Sequence, residues 1–451
     1  MKGGRLLSIY KDCDIRGIFN EDLEGETAYH IGRSIGTIMQ NKTLVVGGDV
    51  RISTPLLKEK LIDGLMDSGA KIIDIGTVPT PVFYFAKGYL KADGGVAVTA
   101  SHNPAKYNGF KIILSDMPIQ TEDIQNIKKI VDRHAYRDAV GSYQSIEVND
   151  AYKEYIKGLV KVYRSLKVVI DAGNGTTSII APQLFRNLGY TVIPLFCEYD
   201  GSFPYREPNP AIYSNLSKLQ SKVLEEGADL GIAFDGDGDR VVFVDEKGRI
   251  SASEESFTVF IQEYLKDKPS PVIYDIKSSS IVEKEVEKYH GKPIMERSGH
   301  AFIKKTFLEN HAVLAGEISG HFFFRELGYD DGIFAALKMA EILTKNNKKL
   351  SYYTDRIEKT VMTPDLRIPY PKDCQLELLE KVESLNQQYE ITKLDGIRVQ
   401  FPNGWALIRQ SVTEPCITIR FEADSETDLD FIKKEFLKTV PELYGKHELL
   451  L

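Results

Sequence analysis

Residues 94–104 read Gly-Gly-Val-Ala-Val-Thr-Ala-Ser-His-Asn-Pro. Gly94 to Val98 is short, apolar and bounded by glycines, the pattern of a buried strand. Asn103-Pro104 then stops regular structure. Ser101 is therefore expected where a strand gives way to a loop, the edge at which open α/β sheets bind ligands. A serine there can carry a phosphoryl group, and His102, Lys106 and, further on, Lys111 are cations that can steady it. A polar loop with a turn-forming Asn-Pro fits the same residues.

Working outward, the same order of elements recurs. Ala28 to Met39 has helical spacing with Ile31, Ile35 and Ile38 on one face. Thr43 to Val46 is a strand ending in Gly47-Gly48-Asp49-Val50-Arg51, and Pro55 to Ser68 is a helix stopped by Gly69. Lys71 to Ile75 is a second strand, and Gly94 to Val98 the third. A second round has strands at Lys167 to Ile170, Thr191 to Pro194 and Asp229 to Phe234, with a helix before Gly189 and another near Leu216 to Glu226. A third has strands at Pro271 to Asp275, Pro293 to Glu296 and Ala312 to Ala315, with Gly291 as a helix stop. Each third strand opens into an unusual polar loop, and units set side by side would turn the three loops toward one cleft.

The tail differs. Ile397 to Phe401, Trp405 to Arg409 and Cys416 to Phe421 alternate around a turn at Pro402-Asn403-Gly404. Thr427 to Thr439 is an amphipathic helix with Leu429, Phe431, Ile432, Phe436 and Leu437 as its apolar set. The expected architecture is three similar mixed α/β sheet domains plus a smaller α+β C-terminal domain around a central cleft, divided at 1–148, 149–252, 253–365 and 366–451.

Composition bounds the function. The 451 residues suffice for about three or four domains. A net charge of −8 with no Lys/Arg block argues against a nucleic-acid partner. The cysteines Cys13, Cys197, Cys374 and Cys416 are far apart and read as buried thiols of a reducing compartment. Neither a secretory leader nor a run of ~18 apolar residues is visible, so a cytoplasmic protein with no membrane partner is expected.

The densest chemical signal is Asp235-Gly-Asp237-Gly-Asp239-Arg240. Carboxylates this close repel one another unless a cation neutralises them, and oxygen-only ligands favour Mg²⁺ over zinc. A phosphoryl oxygen on Ser101 would supply a further ligand. An EF-hand, with Glu246 at its last position, fails at Arg240, which stands where glycine is required, and its flanks read as strands. A solvated acidic turn is the other reading. Glu317-Ile318-Ser319-Gly320-His321 carries two acceptors for vicinal sugar hydroxyls and a histidine, or is a solvated loop. Arg409-Gln410-Ser411-Val412-Thr413 suits a phosphate group, or is a hairpin loop with one exposed arginine. Arg16, Lys277, Arg297 and His300 are further cations at loop positions.

Taken together, these residues resemble the α-D-phosphohexomutases, most closely the phosphomannomutase/phosphoglucomutase branch, over essentially the whole chain. Thr99 to Pro104 is similar to the family's phosphoserine loop, Asp235 to Arg240 to its metal loop, Gly316 to His321 to its sugar-specificity loop, and Arg409 to Thr413 to its phosphate-binding loop. Asp14-Ile15-Arg16-Gly17 matches the N-terminal signature; Lys277 and Gly299-His300 match substrate contacts. Three positions depart. Cys13 stands where the family has tyrosine, with Tyr10 as a substitute hydroxyl one turn away. Val412 replaces asparagine or glycine, and Ser278-Ser279-Ser280 replaces Cys-Ser-Arg.

The resemblance implies a mutase that interconverts hexose 1-phosphate and 6-phosphate, of mannose and/or glucose, through phosphoserine at Ser101 and a hexose 1,6-bisphosphate. One Mg²⁺ per chain would be held by Ser101, Asp235, Asp237 and Asp239. Arg16, Arg240 and Lys111 would stabilise the transferred group. Lys111, His102 and His321 are the acid/base candidates. Lys277, His300, Glu317, Ser319, Gly320, Arg409, Ser411 and Thr413 would bind substrate. The expected partners are small hexose phosphates, to a monomer or dimer. A phosphoglucosamine mutase, disfavoured by Ile318, and a phosphatase using Asp235 as nucleophile are the alternatives.

Overall fold

The computed structural model describes residues 9–410 and 416–443. The first sheet contains β1 (Ile15–Ile18), β2 (Thr43–Gly48), β3 (Lys71–Thr77), β4 (Gly94–Val98), β5 (Tyr107–Ile113) and β6 (Ser142–Ser145), in the order β1-β5-β4-β2-β3-β6. The second contains β7 (Lys167–Asp171), β8 (Thr191–Leu195), β9 (Leu230–Phe234), β10 (Val241–Asp245) and β11 (Ile250–Ser251), ordered β11-β10-β9-β7-β8. The third contains β12 (Pro271–Asp275), β13 (Lys292–Glu296), β14 (Leu314–Gly316), β15 (Phe322–Phe324) and β16 (Tyr329–Asp330), ordered β13-β12-β14-β15-β16.

One unit lies within all three. Its first strand pairs in parallel with its second and third, and the third is followed by an antiparallel return strand: β4 with β5, β9 with β10, β14 with β15. The central strands are buried end to end, as parallel strands covered by helices on both faces must be. The return strands were not legible as partners, because their apolar runs read equally as isolated strands. They matter because each one folds a polar loop back over the edge of its own sheet.

The first strands repeat one local device. Each ends at an aspartate whose Oδ1 accepts the N–H two residues on: Asp49 from Arg51 at 2.9 Å, Asp171 from Gly173 at 2.8 Å, Asp275 from Lys277 at 2.9 Å. An Asx-type turn of this kind ends the strand and turns the chain outward at the ligand-binding edge.

A continuous apolar core runs through the three units, joined by helices Thr80–Tyr89, Asn149–Gly158 and Gly332–Lys345. The last sheet is separate: β17 (Val361–Met362), β18 (Leu366–Pro369), β19 (Glu390–Thr392), β20 (Ile397–Phe401), β21 (Gly404–Gln410) and β22 (Cys416–Ala423), all antiparallel and covered by helix Glu426–Lys438. It has its own core, and a small cluster of Ile276, Trp405 and Leu407 joins it to the third unit. None of the helices among the described residues is long and apolar enough to cross a membrane.

Several local expectations need correction. The left-handed residue after helix Ser280–Lys288 is His290 (φ 58°), not Gly291, whose missing Cβ instead makes room for Leu265 and Val286. The third strand of the third unit begins at Leu314, after a helix His300–Glu309. Phe431 is exposed, because the buried stripe of its helix runs through Leu429, Ile432, Phe436 and Leu437. Only Cys416 among the cysteines is buried; Cys374 is exposed and the other two are half-buried. Arg16 lies on β1 rather than in a loop. The rejection of an EF-hand, by contrast, holds: Glu246 bonds Ser351, and the flanks of the aspartate loop are the strands β9 and β10.

Candidate active site

The loops that follow β4, β9 and β14 meet. The aspartate loop is fixed by backbone hydrogen bonds to both neighbouring units. Thr80 N donates to Asp237 O at 2.8 Å, Gly332 N to Gly238 O at 3.1 Å, and Val241 N to Gly320 O at 3.0 Å. Behind the loop, Thr176 N donates to Gly236 O at 3.0 Å. A side chain at Gly236 is barred, since its Cβ would lie 2.5 Å from the Ser101 carbonyl oxygen. The serine loop and the aspartate loop therefore touch backbone to backbone.

Ser101 is 2% exposed and sits in the left-handed region at φ 50°. Its N–H donates to Thr99 Oγ1 at 2.9 Å, and its hydroxyl donates to Asp235 Oδ2 at 2.7 Å. His102 Nδ1 is 3.2 Å from the same hydroxyl. Lys111, on β5 opposite Ala97, reaches the aspartates from the side: its Nζ donates to Asp237 Oδ2 at 2.7 Å and to Asp239. Thr80 also donates to Asp237 Oδ2 at 2.6 Å, and Thr99 Oγ1, whose proton goes to Asp49, lies 3.2 Å from the same oxygen.

The electrostatics follow from burial. Asp235, Asp237 and Asp239 have no exposed surface. Burial and the two neighbouring carboxylates hold Asp235 well above the usual carboxylate range. Burial acts the same way on Asp237 and Asp239, but the Lys111 ammonium overrides it and holds both below that range. Lys111 in turn is stripped of water, yet the two aspartates keep it firmly protonated. His102 is held neutral by burial and by Arg240 and Arg16.

The residues fit a divalent cation. Oxygen atoms of the three aspartates lie within 4.8 Å of one another. Asp237 Oδ1 and Asp239 Oδ1 are buried without a hydrogen-bond partner. Orphaned buried carboxylate oxygens are costly unless a cation takes them. An all-oxygen set matches a hard ion such as Mg²⁺.

On the facing side, Arg240 Nε donates to His321 Nε2 at 2.9 Å. His321 Nδ1 lies 2.7 Å from Asp330 Oδ2 and 3.7 Å from Asp239 Oδ1. Burial opposes the charge of His321, but Asp239 and Asp330 raise its proton affinity. His300 stacks on His321 with centroids 5.9 Å apart and is pushed down to about 4 by burial. Glu317 accepts Gly299 N at 2.8 Å and Ser319 Oγ at 3.1 Å. Arg16 donates to Asn103 Oδ1 and to Asp14, both at 2.6 Å, which ties it to the serine loop.

Two predicted binding residues lie toward the last sheet. Lys277 pairs with Asp365 at 2.8 Å and Arg409 pairs with Asp395. Arg409 Nε is buried and unpartnered. Ser411, Val412 and Thr413 fall outside the described residues. The triple serine faces the last sheet: Glu422 accepts Ser279 Oγ at 2.5 Å, Ser280 N at 2.9 Å and Ser280 Oγ at 3.1 Å.

Lys106 is exposed, with its amine 5.8 Å from the Tyr107 ring centre. One expectation fails here. Tyr10 faces Lys128, whose Nζ is 6.0 Å from its ring centre, so it does not replace the hydroxyl missing at Cys13. Cys13 instead borders a 30 Å³ cavity with Tyr84, Lys111, His300 and Lys304. Sequence reasoning missed Asp49, Arg51, Thr80 and Asp330 as parts of the site. Asp49-Val-Arg51 was visible as a strand ending, but nothing in sequence spacing points it at Ser101.

Four family models match in order. They are the phosphoglucomutase/phosphomannomutase α/β/α domains I, II and III over residues 8–138, 150–248 and 253–360, and the C-terminal domain over 367–439. A phosphomannomutase/phosphoglucomutase of Pseudomonas aeruginosa is 40% identical, covering 95% of this chain and 94% of its own. A phosphoglucomutase of Neisseria gonorrhoeae is 37% identical, covering 95% of each. The crystal structure of a phosphoglucomutase/phosphomannomutase family protein from Burkholderia thailandensis superimposes with a TM-score of 0.91 at 36% identity, over 96% of this chain and 97% of that one. With four domain models in register and relatives matched along nearly their full length, the chain belongs to the phosphoglucomutase/phosphomannomutase family, and so to the isomerases that act as intramolecular phosphotransferases.

Proposed function

We propose that this enzyme interconverts hexose 1-phosphate and hexose 6-phosphate, of mannose and/or glucose, through a phosphoserine at Ser101 and a hexose 1,6-bisphosphate. The observation that carries the reading is the 2.7 Å contact between Ser101 Oγ and Asp235, inside a buried triad with orphaned oxygens. In the resting enzyme the hydroxyl stands where the bridging oxygen of a phosphoserine would be.

A sugar hydroxyl attacks the Ser101 phosphorus, the new P–O bond forms as the bond to Ser101 Oγ breaks, the sugar proton passes to a base, and the departing Ser101 Oγ takes up a proton to become the free hydroxyl. The bisphosphate turns over and returns its other phosphoryl group to Ser101. Lys111 is fully engaged by Asp237 and Asp239 and stays charged, so its role is to balance negative charge. His102 is left for the proton, being neutral and 3.2 Å from Ser101 Oγ, whereas His321, the other candidate, has Nε2 taken by Arg240 and Nδ1 held 2.7 Å from Asp330. Arg16 and Arg240 flank the serine loop and bind the transferred group. Asp235, Asp237 and Asp239 would hold one Mg²⁺, which supplies Lewis-acid neutralisation of the phosphoryl oxygens. Glu317 and Ser319 read the sugar hydroxyls, with Gly320 shaping their loop and His300 stacked on His321 at its end, while Lys277 binds substrate from the side of the last sheet. Arg409, Ser411 and Thr413 take the phosphate remote from Ser101. The separate core of the last sheet supports reading it as a domain of its own, able to close on substrate, and β17 extends that domain back to Val361, ahead of the expected start at 366.

A phosphatase that uses Asp235 as nucleophile fits less well, because both its oxygens are occupied by Ser101, Gly238 and Arg240. Incubation with glucose 1-phosphate or mannose 1-phosphate, Mg²⁺ and a trace of glucose 1,6-bisphosphate, followed by phosphorus NMR, tests the reading. Appearance of the 6-phosphate supports it. Free phosphate alone supports the phosphatase, and no turnover of either sugar overturns the assignment.

A further inference from the structure

We propose that Arg51 is the residue that positions Ser101 for phosphoryl transfer, holding the nucleophile's loop from behind without touching substrate. The inference rests on the phosphoserine reading above.

Arg51 is 1% exposed. An arginine has five N–H donors in a fixed plane, and here every one is used. Nε donates to Asp49 Oδ2 at 3.0 Å. One terminal nitrogen donates to Pro104 O at 2.8 Å and Tyr107 O at 3.0 Å. The other donates to Ser101 O at 2.8 Å and Asn103 O at 2.6 Å. Four carbonyls of the loop that carries Ser101 are thus gathered onto one rigid cation. That loop needs such support. Ser101 is a non-glycine residue at φ 50°, a conformation that persists only where the surroundings over-determine it. Its carbonyl oxygen is pinned between Arg51 and the close approach of Gly236 from the aspartate loop.

The clamp is itself anchored. Asp49 accepts from Arg51 N at 2.9 Å, from Thr54 Oγ1 at 2.6 Å and from Thr99 Oγ1 at 2.8 Å. Thr99 Oγ1 in turn accepts the Ser101 N–H. The Phe203 ring of the second unit lies 5.1 Å from the guanidinium. Arg51 therefore sets where Ser101 Oγ stands relative to Asp235, and a misplacement of about 1 Å at a reacting atom costs on the order of a hundredfold in rate. Lysine keeps the charge but has three rotatable donors and no planar fork, so it cannot hold four carbonyls.

The test is Arg51→Lys, checked for native circular dichroism. Dephosphorylated enzyme is mixed with glucose 1,6-bisphosphate, and Ser101 phosphorylation is followed by intact mass. Steady-state kinetics with glucose 1-phosphate are measured on the same folded protein. The expected result is phosphorylation and kcat slowed together by about tenfold or more, with KM changed less than about threefold. An unchanged kcat, or a rise in KM alone, overturns the inference, since a merely structural arginine would lower the folded fraction and not the rate per folded molecule. If Arg51→Lys does not fold, Asp49→Asn is read in its place. It keeps the four carbonyl contacts and removes the charged anchor, and the same split at about two- to fivefold is expected. Wild-type protein that takes no phosphoryl group at Ser101 overturns the phosphoserine reading, and this inference with it; wild-type protein that is phosphorylated while the variant matches it overturns the inference alone.

Discussion

The Ser101 hydroxyl and the Asp235 carboxylate are 134 positions apart in the chain and 2.7 Å apart in space. Two loops from two sheets meet there, each fixed by backbone hydrogen bonds, so the contact is built before any ligand arrives. Preorganisation of this kind lets a phosphoryl group be transferred with little reorganisation at the moment of reaction.

Ser101→Ala removes the atom that carries the phosphoryl group. Mutase turnover should fall by at least about a thousandfold, the size expected when a covalent nucleophile is lost. Intact mass after incubation with glucose 1,6-bisphosphate should show the phosphoryl increment on the wild type and not on the variant. Full activity in the variant would refute the route.

Asp239→Asn keeps the volume of a fully buried side chain and removes one charge from the triad. Turnover at saturating substrate should drop about a hundredfold, the effect of about 2–3 kcal/mol of lost charge stabilisation. Chelation of wild-type protein should abolish activity and lower Tm, and Mg²⁺ at a hundred times its Kd should restore about 2.7 kcal/mol of stability. A chelator that changes neither activity nor Tm would exclude the triad as a metal site.

Arg409→Ala should raise KM for hexose phosphate by about 10- to 100-fold with a smaller change in kcat, because a charge-assisted contact to phosphate contributes about 1.5–3 kcal/mol. Asp395→Asn removes the carboxylate that pairs with Arg409 and should raise KM less. A normal KM in Arg409→Ala would place the remote phosphate elsewhere.

Asp331 has no exposed surface, and burial pushes its carboxyl up to about 7. It accepts hydrogen bonds from Tyr152 Oη at 2.8 Å and Phe334 N at 2.9 Å. A carboxyl whose proton affinity is higher in the folded chain binds more protons folded than unfolded between pH 4 and 7, so its contribution to stability falls as pH rises through that window. Asp331→Asn should leave Tm at pH 4 nearly unchanged and raise it relative to the wild type above pH 7. Parallel Tm curves for the two proteins across that range would count against the buried neutral carboxyl.

What the chain declares by itself is local. The strand Gly94–Val98 and the hairpin strand Ile397–Phe401 are legible to the residue, because apolar runs bounded by glycine and proline leave few alternatives. The aspartate triplet is equally plain as a motif, but only its complete burial turns three close carboxylates from a possible solvated turn into a site that calls for a cation. The return strands, the left-handed His290 and the outward face of Phe431 depend on what packs nearby, so periodicity alone does not reach them. The role of Arg51 is of the same kind. In sequence it is one polar residue after a strand. Only when four carbonyls from residues 101, 103, 104 and 107 converge within hydrogen-bond distance does its planar set of donors acquire partners. Chemistry carried by residue type can be read along the chain; chemistry carried by the distance between loops is settled by the packing of three sheets against a common core.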